Sequence, residues 1–157
     1  LGLATMSDLA EVAGDLTWGV AQECGENPNC GPGLDRVYGI DFASLDVETL
    51  AACSTAIAEA LNASNIDVAQ VCTTQPEIAG FNLVLLEDDQ GLAPAQNIVP
   101  VVRQELVDEA GDVLETTLNE VSALLTTEEL TNLGAAIILD GESTPDAASQ
   151  WLEDNGL

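Results

Sequence analysis

The chain has 157 residues, of which 46% are hydrophobic; 28 acidic residues stand against two arginines and no lysine, giving a formal net charge of -26. This length predicts one domain with a buried core, and the ordinary apolar fraction argues against disorder. Because phosphate groups are bound through lysine and arginine, the charge excludes nucleic acid as a partner. Without histidine or lysine there is no Ser/His or Cys/His nucleophile pair, no Schiff base and no P-loop.

The acidic excess also bears on the salt concentration at which the protein is stable. Repulsion among so many carboxylates should destabilise the compact state in dilute buffer. At about 1 M salt the Debye length falls to about 3 Å, which screens most of this repulsion. We therefore hypothesise a salt-adapted, halophilic source. An ordinary acidic extracytoplasmic protein is the alternative.

Four cysteines, an even number, favour two disulfides and an oxidising compartment. Three pairings are possible, and free buried cysteines are the alternative. We favour Cys24 with Cys30, across the tight loop between them, and Cys53 with Cys72. The cysteine spacing lacks the paired C-x-x-C pattern of a zinc site, so no metal is expected.

The first part of the chain predicts short elements. Thr5–Asp8 has a capping-box pattern and should start a helix. Leu16 to Val20 is predicted as a strand that ends in the polar loop from Ala21 to Gly33. A short helix from Gly33 to Tyr38 follows, and then a weak strand or extended segment from Ile40 to Leu45.

The next helix is predicted to run to about Ala63, with Ser54 and Thr55 at its start. Capping is one interpretation of these two hydroxyls. The other is that the exposed N–H groups of this helix receive the anionic end of a ligand. At the far end, Asn62-Ala63-Ser64 matches the pattern of an N-glycosylation acceptor.

Three short apolar runs, Ile66–Val71, Leu83–Leu86 and Ile98–Val102, are predicted to be buried parallel strands. Polar tips lie between them, at 73–75 and 95–97. Ligands of open α/β sheets sit just beyond the carboxyl ends of strands. The sequence therefore predicts that these tips form one wall of a solute cleft.

After Arg103 the periodicity becomes helical. Apolar residues recur every three or four positions up to Leu125 and predict a long amphipathic helix, broken near Gly111. A second capping box at 126–129 starts another helix. Thr144-Pro145 supplies the N-cap and first position of a third helix, which ends near Gly156.

The densest carboxylate group, Glu87, Asp88 and Asp89, is the remaining option for catalysis. Adjacent residues at a strand end point to opposite faces, which favours a solvated turn instead. A carboxylate-dependent hydrolase is nevertheless kept as one alternative function.

Several motifs resemble one known family. The stretch EDDQG at 87–91, Pro94, and NIVPVVR at 97–103 are similar to the substrate-binding proteins of glycine betaine/carnitine/choline (osmoprotectant) ABC transporters. The segments GLDRVYG at 33–39 and SALLTTEEL at 122–130 support the resemblance. It runs over nearly the whole chain but matches only the second half of the longer family members.

The resemblance implies an α/β fold, one lobe of a periplasmic-binding-protein type II clamshell with a C-terminal helical segment. Residues 1–97 would be the second, ligand-binding lobe, and residues 98–157 a return strand and helices that pack on the first lobe. The chain would then be a piece of a longer extracytoplasmic protein, in the periplasm or on the cell surface, with a lipid anchor as one option. Its implied partners are an osmolyte, an ABC permease, and the missing N-terminal lobe or a second copy; no cofactor is expected.

The ligand-binding positions implied by the resemblance and the strand tips are Trp18, Gln22, Ser54, Thr55, Cys72, Thr73, Thr74, Gln96 and Asn97. For Trp18, a place in the core is the alternative.

The chain departs from the family where ligand contacts are expected. Cys72 and Gln96 stand where cage tyrosines are expected, Asn27 stands for the usual loop arginine, and Gln75 replaces an aspartate. An aromatic cage for a quaternary ammonium group cannot be assembled from this half alone. A more polar osmolyte fits Gln22, Thr73 and the amides at 96–97 at least as well. An acidic interaction module that kept the fold without the ligand is the other alternative.

Overall fold

The computed structural model describes residues 1–157, which form two compact units, Leu1–Pro94 and Ala95–Leu157. The first unit contains a parallel sheet flanked by helices, and the second contains helices and, before them, a segment without regular secondary structure. The predicted α/β class is confirmed. The assignment of residues 1–97 and 98–157 to different parts of a clamshell stays a prediction.

The first unit alternates helices and strands. Its elements are α1 (Met6–Ala10), β1 (Thr17–Val20), α2 (Gly31–Tyr38), β2 (Asp46–Thr49), α3 (Thr55–Asn62), β3 (Val68–Ala69) and α4 (Glu77–Gly80), with 3-10 turns at Ala13–Asp15 and Phe42–Ser44. β1 is the central strand, and both neighbours run parallel to it, in the order β2-β1-β3.

The two faces of β1 pack against different layers. Trp18 and Val20 point to one face, in a cluster with Leu34 of α2, because side chains two apart on a strand share a face. Gly19 points to the other face, where an added Cβ would lie 2.4 Å from Cδ1 of the fully buried Ile66. The missing side chain therefore lets the layer that contains α3 approach the sheet closely.

Two of the N-caps follow the sequence prediction. The Thr5 hydroxyl accepts from Asp8 N–H at 3.0 Å, and the Asp8 carboxylate accepts in return from Thr5 N–H at 3.0 Å. Ser54 caps α3 by accepting from Ile57 N–H at 3.4 Å. These bonds satisfy N–H groups that a helix start otherwise leaves without partners.

The three predicted apolar strands are largely wrong. Of Ile66–Val71, only Val68 and Ala69 pair in the sheet, and neither Leu83–Leu86 nor Ile98–Val102 forms a strand. Val101 is 91% exposed. A strand needs a neighbour to accept its backbone hydrogen bonds, and no strand of the described chain pairs with these two segments.

The strand prediction was also wrong for Ile40–Leu45. This segment contains the 3-10 turn Phe42–Ser44, in which the Asp41 carboxylate accepts from Ala43 N–H at 3.2 Å. The strand follows it at Asp46–Thr49, with three of four residues exposed. An edge strand that is mostly solvated has little apolar signal, which is why the sequence pattern missed it.

The second unit has four helices, α5 (Gln104–Ala110), α6 (Asp112–Leu124), α7 (Thr127–Ile138) and α8 (Thr144–Asp154). The predicted break is confirmed at Gly111, whose φ of 62° and ψ of -154° are open almost only to glycine. Thr126 caps α7 as predicted. The cap of α8 is Ser143, one residue before the predicted Thr144.

Within this unit, α7 and α8 are joined by a hydrogen bond from the Trp151 indole N–H to the Glu129 carboxylate at 2.6 Å. Several large apolar side chains of the unit remain on its surface, such as Val99 at 66% and Val113 at 73% exposure. None of the helices combines enough length and apolar character to cross a membrane.

Candidate functional site

The carboxyl ends of the strands meet at one edge of the sheet, and an open concavity lies there. It has a volume of about 480 Å³. The residues that line it are Ala21, Gln22 and Glu23, which follow β1, and Thr49, Leu50, Ala51 and Ala52, at the end of β2. We call this concavity the sheet-edge cleft. Its place is the one where open α/β sheets bind ligands.

The backbone of β1 fixes both segments that line the cleft. Leu50 N–H donates to the Val20 carbonyl at 2.9 Å, which continues the pairing of β1 with β2. On the other side of β1, Gln70 N–H donates to the Gly19 carbonyl at 2.9 Å, and the Gln70 side chain accepts from Ala21 N–H at 3.3 Å. The peptide unit between Val20 and Ala21 is therefore held on both sides, by the residues that follow β2 and β3.

The loop that carries Gln22 is further restrained by a disulfide. Cys24 and Cys30 are bonded, with a Cα–Cα distance of 5.1 Å, as predicted. Asn27 uses its side-chain oxygen within the loop, where it accepts from Asn29 N–H at 3.0 Å. Gln22 itself is exposed beside the cleft, so its amide is available to a solute.

The second predicted disulfide, Cys53–Cys72, is also confirmed, with a Cα–Cα distance of 5.0 Å. It joins the loop after β2, which lines the cleft, to the segment after β3. Thr73, next to the disulfide, is exposed, and Thr74 is half-buried. The sulfur of Cys72 is therefore part of a covalent link that positions this threonine pair.

Gln75 makes a second link between the same two segments. Its side-chain oxygen accepts from Cys72 N–H at 2.9 Å, and its amide nitrogen donates to the Ser54 carbonyl at 3.2 Å. Gln75 is 7% exposed. An amide can donate and accept at once, whereas a carboxylate only accepts. The glutamine thus ties the turn after β3 to the start of α3.

Ser54 and Thr55 both use their hydroxyls within the protein. Ser54 caps α3 and donates to the Ala51 carbonyl at 2.6 Å. Thr55 donates to a carboxylate oxygen of Glu77 at 2.6 Å. These bonds favour the capping interpretation for Ser54. Glu77 is buried, at 1% exposed, and no sequence pattern indicated it.

The position of Trp18 favours its alternative role in the core and corrects its assignment as a ligand contact. Trp18 is 3% exposed, and its indole N–H donates to the Ala13 carbonyl at 3.0 Å. Its neighbours on this face of the sheet are core residues. A large ring on the central strand is worth most when it is buried, provided that its N–H finds a partner.

Gln96 and Asn97 lie in the second unit, where both are exposed and precede a segment that forms no strand. They are therefore not the tip of a sheet strand. Their role beside a ligand stays a prediction.

The acidic group at 87–89 lies at the surface, with Glu87 and Asp89 exposed and a turn at 89–90, which agrees with the predicted solvated turn. Its members also make structural contacts. Asp89 accepts from the Ser7 hydroxyl at 2.6 Å, and Glu87 pairs with the segment before α1 through Glu87 N–H to the Ala4 carbonyl at 2.9 Å. Asp88 accepts from the Tyr38 hydroxyl and from two N–H groups of the following turn. We call this set the Asp88 clasp.

The hydrogen bonds of the clasp shift the pKa values of its members. Partial burial raises the pKa of Asp88, but the bonds from Tyr38 and from the N–H groups of residues 91–93 outweigh it and leave that pKa below the usual value. Burial and the bond to Asp88 raise the pKa of Tyr38 to about 12. Asp88 is thus held as an acceptor at neutral pH.

A family model, OpuAC, the substrate binding domain of the ABC-type glycine betaine transport system, matches residues 1–154. The chain belongs to the OpuAC family. Carnitine transport binding protein OpuCC of Listeria monocytogenes is 29% identical over 132 residues, which are 83% of this chain and 41% of that protein, in both strain 10403S and a second Listeria monocytogenes sequence. This OpuAC chain therefore spans less than half the length of these curated relatives.

Solved structures agree with the OpuAC assignment. A crystal structure described as a glycine betaine/carnitine/choline ABC transporter superposes with a TM-score of 0.80 at 28% identity, over 98% of this chain and 54% of that one. Apo YehZ from Escherichia coli superposes with a TM-score of 0.68 at 24% identity, over 98% and 57% of the two chains. The second likeness concerns the fold alone.

Proposed function

We propose that this OpuAC domain is part of the extracytoplasmic solute-binding component of an ABC importer for osmoprotectants. The observation that carries the proposal is the sheet-edge cleft, because its walls are fixed by β-sheet pairing and two disulfides. A pre-organised cleft loses little conformational entropy when a small solute binds. The domain would act by closing around the solute with a second lobe, without chemical change to it.

The lining of the cleft supports a polar solute. It offers the Gln22 amide, the Glu23 carboxylate, the Thr49 hydroxyl and small alanines, and it contains no aromatic ring. A cage of rings is the usual way to hold a quaternary ammonium group. We therefore favour an osmolyte that is recognised through hydrogen bonds, with betaine, choline and carnitine-like ligands as the other candidates.

Thr73 and Thr74 would contact the solute from the turn after β3, because the Cys53–Cys72 disulfide ties this turn to a loop that lines the cleft. Gln96 and Asn97 are kept as further proposed ligand contacts. The permease and a further lobe, or a second copy of the chain, are the proposed partners.

Isothermal titration tests the proposal with neutral osmolytes, betaines, choline and carnitine, using the chain alone and with the remaining length of the protein supplied. Saturable 1:1 binding that is weakened at least tenfold by Gln22→Ala is expected. Gln150→Ala, at an exposed glutamine that is not among the residues lining the cleft, is the matched control. If the full-length protein bound none of these compounds, ligand binding would be refuted and the acidic interaction module would remain as the alternative.

A further inference from the structure

We propose that Asn62 is an N-glycosylation site and that its glycan lies on the end of α3 opposite the sheet-edge cleft. The chain has one asparagine with serine or threonine two residues on, in Asn62-Ala63-Ser64. The middle residue is not proline, so the sequon is intact. Glycosylation needs export, but it does not depend on ligand binding.

The structure presents this sequon to solvent. Asn62 is the last residue of α3, and residues 62–65 are all exposed. The helix is closed by a tight turn in which Ser64 has a φ of 58° and Asn65 N–H donates to the Ala60 carbonyl at 2.9 Å. The chain returns to the core at Ile66, which is 1% exposed. A transferase can therefore reach the acceptor amide without unfolding the core.

The two disulfides supply an independent argument, because they place the chain in an oxidising compartment after export. N-glycosylation is a modification of secreted chains. The start of α3 is tied to the cleft side by Ser54 and Gln75, whereas its end is about 12 Å away, at about 1.5 Å for each of its eight residues. A glycan on Asn62 would leave the cleft open.

The co-reactant is a sugar carried on a polyprenyl phosphate. The amide nitrogen of Asn62 bonds to the anomeric carbon of the sugar, and the bond from that carbon to the phosphate oxygen breaks. Polyprenyl phosphate leaves with the electron pair of the broken bond, and one amide proton passes to a base of the transferase. No group is oxidised or reduced.

Mass spectrometry of the full-length protein recovered from its native organism tests the site, after endoproteinase Glu-C has released the peptide that follows Glu59. A mass increase of whole sugar residues on Asn62 is expected. Asn62→Gln should abolish it, and the neighbouring exposed Asn65→Gln is the matched control that should retain it. A peptide of unmodified mass, or sugar on another residue, would overturn the proposal.

Ser64→Gly separates loss of the sequon from loss of the fold. Glycine adopts a positive φ without strain, so this variant should melt at or above the temperature of the parent protein and still carry no sugar. Sugar retained on Asn62 in Ser64→Gly would contradict recognition of the sequon. The osmolyte titration is independent, because a glycosylated protein that binds no solute would refute only the proposed function.

Discussion

The hydroxyl of Tyr38, at the end of α2, donates a hydrogen bond to the carboxylate of Asp88, fifty residues further along the chain. The same hydroxyl accepts from Gln90 N–H at 3.0 Å, and the carboxylate accepts from Leu92 N–H at 2.9 Å. Each partner therefore makes more than one hydrogen bond. The Asp88 clasp fastens the segment that leaves the first unit onto its second helix.

Removing the hydroxyl should weaken the clasp. Tyr38→Phe is expected to lower the free energy of unfolding by about 1 to 3 kcal/mol, because the lost hydrogen bond has a charged acceptor. Urea unfolding at high salt measures this. Asp35→Asn, which removes an exposed carboxylate on the same helix, is the control for the charge that is lost in Asp88→Asn. A double-mutant cycle with Asp88→Asn should show coupling between the two sites, and additive effects would contradict a direct bond.

The single tyrosine of the chain makes the clasp visible by titration. We expect the ultraviolet absorbance of tyrosinate to rise near pH 12 in the folded protein, because burial and Asp88 raise the pKa of Tyr38 to about 12. Asp88→Asn should bring the midpoint closer to the ordinary value of about 10. A parent protein that already titrates near that ordinary value would show that the bond is absent in solution.

The clasp also predicts how stability depends on pH. The folded pKa of Asp88 is lowered, so its stabilisation is present above the unfolded value of about 3.9 and is lost as the pH falls through the folded value. The folded pKa of Tyr38 is raised, so its contribution is complete below about pH 10 and is lost toward pH 12. The free energy of unfolding, measured at molar salt, should fall in both pH ranges, and Asp88→Asn should reduce both decreases. If the free energy of unfolding changed equally with pH in the parent protein and in Asp88→Asn, that would argue against the linkage.

The charge of -26 predicts a strong dependence on salt. The melting temperature should rise from dilute buffer to about 1 M potassium chloride, where the Debye length is about 3 Å. Calorimetry at neutral pH measures it. A melting temperature that stays constant over this range would rule out the hypothesis of salt adaptation.

The two disulfides should differ in their contributions to stability. Cys53 and Cys72 are 19 residues apart, and Cys24 and Cys30 are 6 apart. In the chain-entropy view, the longer loop is worth about 3 kcal/mol and the shorter about 2 kcal/mol. Replacing both cysteines of one disulfide with serine, in two separate variants, and comparing their urea unfolding tests this order. Replacing Cys53 and Cys72 should also weaken solute binding, because it releases the turn that carries Thr73. Unchanged affinity would contradict that role.

Gln75→Ala should act on the same turn. It leaves Cys72 N–H and the Ser54 carbonyl without their partner, which costs about 1 to 3 kcal/mol in a buried place. Gln75→Glu keeps the acceptor but loses the donor, so it should lie between the parent and the alanine variant. Thermal unfolding of the three proteins gives the order, and a glutamate variant no more stable than alanine would show that the acceptor contributes little.

Local signals in the sequence predicted much of the first unit. Hydroxyls at 5 and 54, and the paired cysteines, act over short distances, so their patterns could be interpreted directly. The strands were harder. The apolar run at 98–102 looked buried but is exposed, because apolar character alone does not supply a pairing neighbour. Asp46–Thr49 was missed because its residues face solvent.

The candidate site shows the same difference between local patterns, which could be interpreted, and long-range contacts, which could not. The disulfides and the exposed Gln22 followed from spacing and loop polarity. The roles of Gln75, Glu77 and Asp88 did not, because each depends on a partner more than twenty residues away in sequence. A pattern along the chain carries no record of which distant donor will meet a given carboxylate.

The margins of the sheet bear on how copies of the protein could associate. β3 pairs over two residues only, and β2 exposes Asp46 and Glu48 along its length. Short and negatively charged outer strands resist backbone docking by a neighbouring molecule, since an identical strand would bring like charges together. Neither edge of the sheet therefore favours strand pairing between copies of the protein, which is the contact through which a sheet seeds fibrous aggregates.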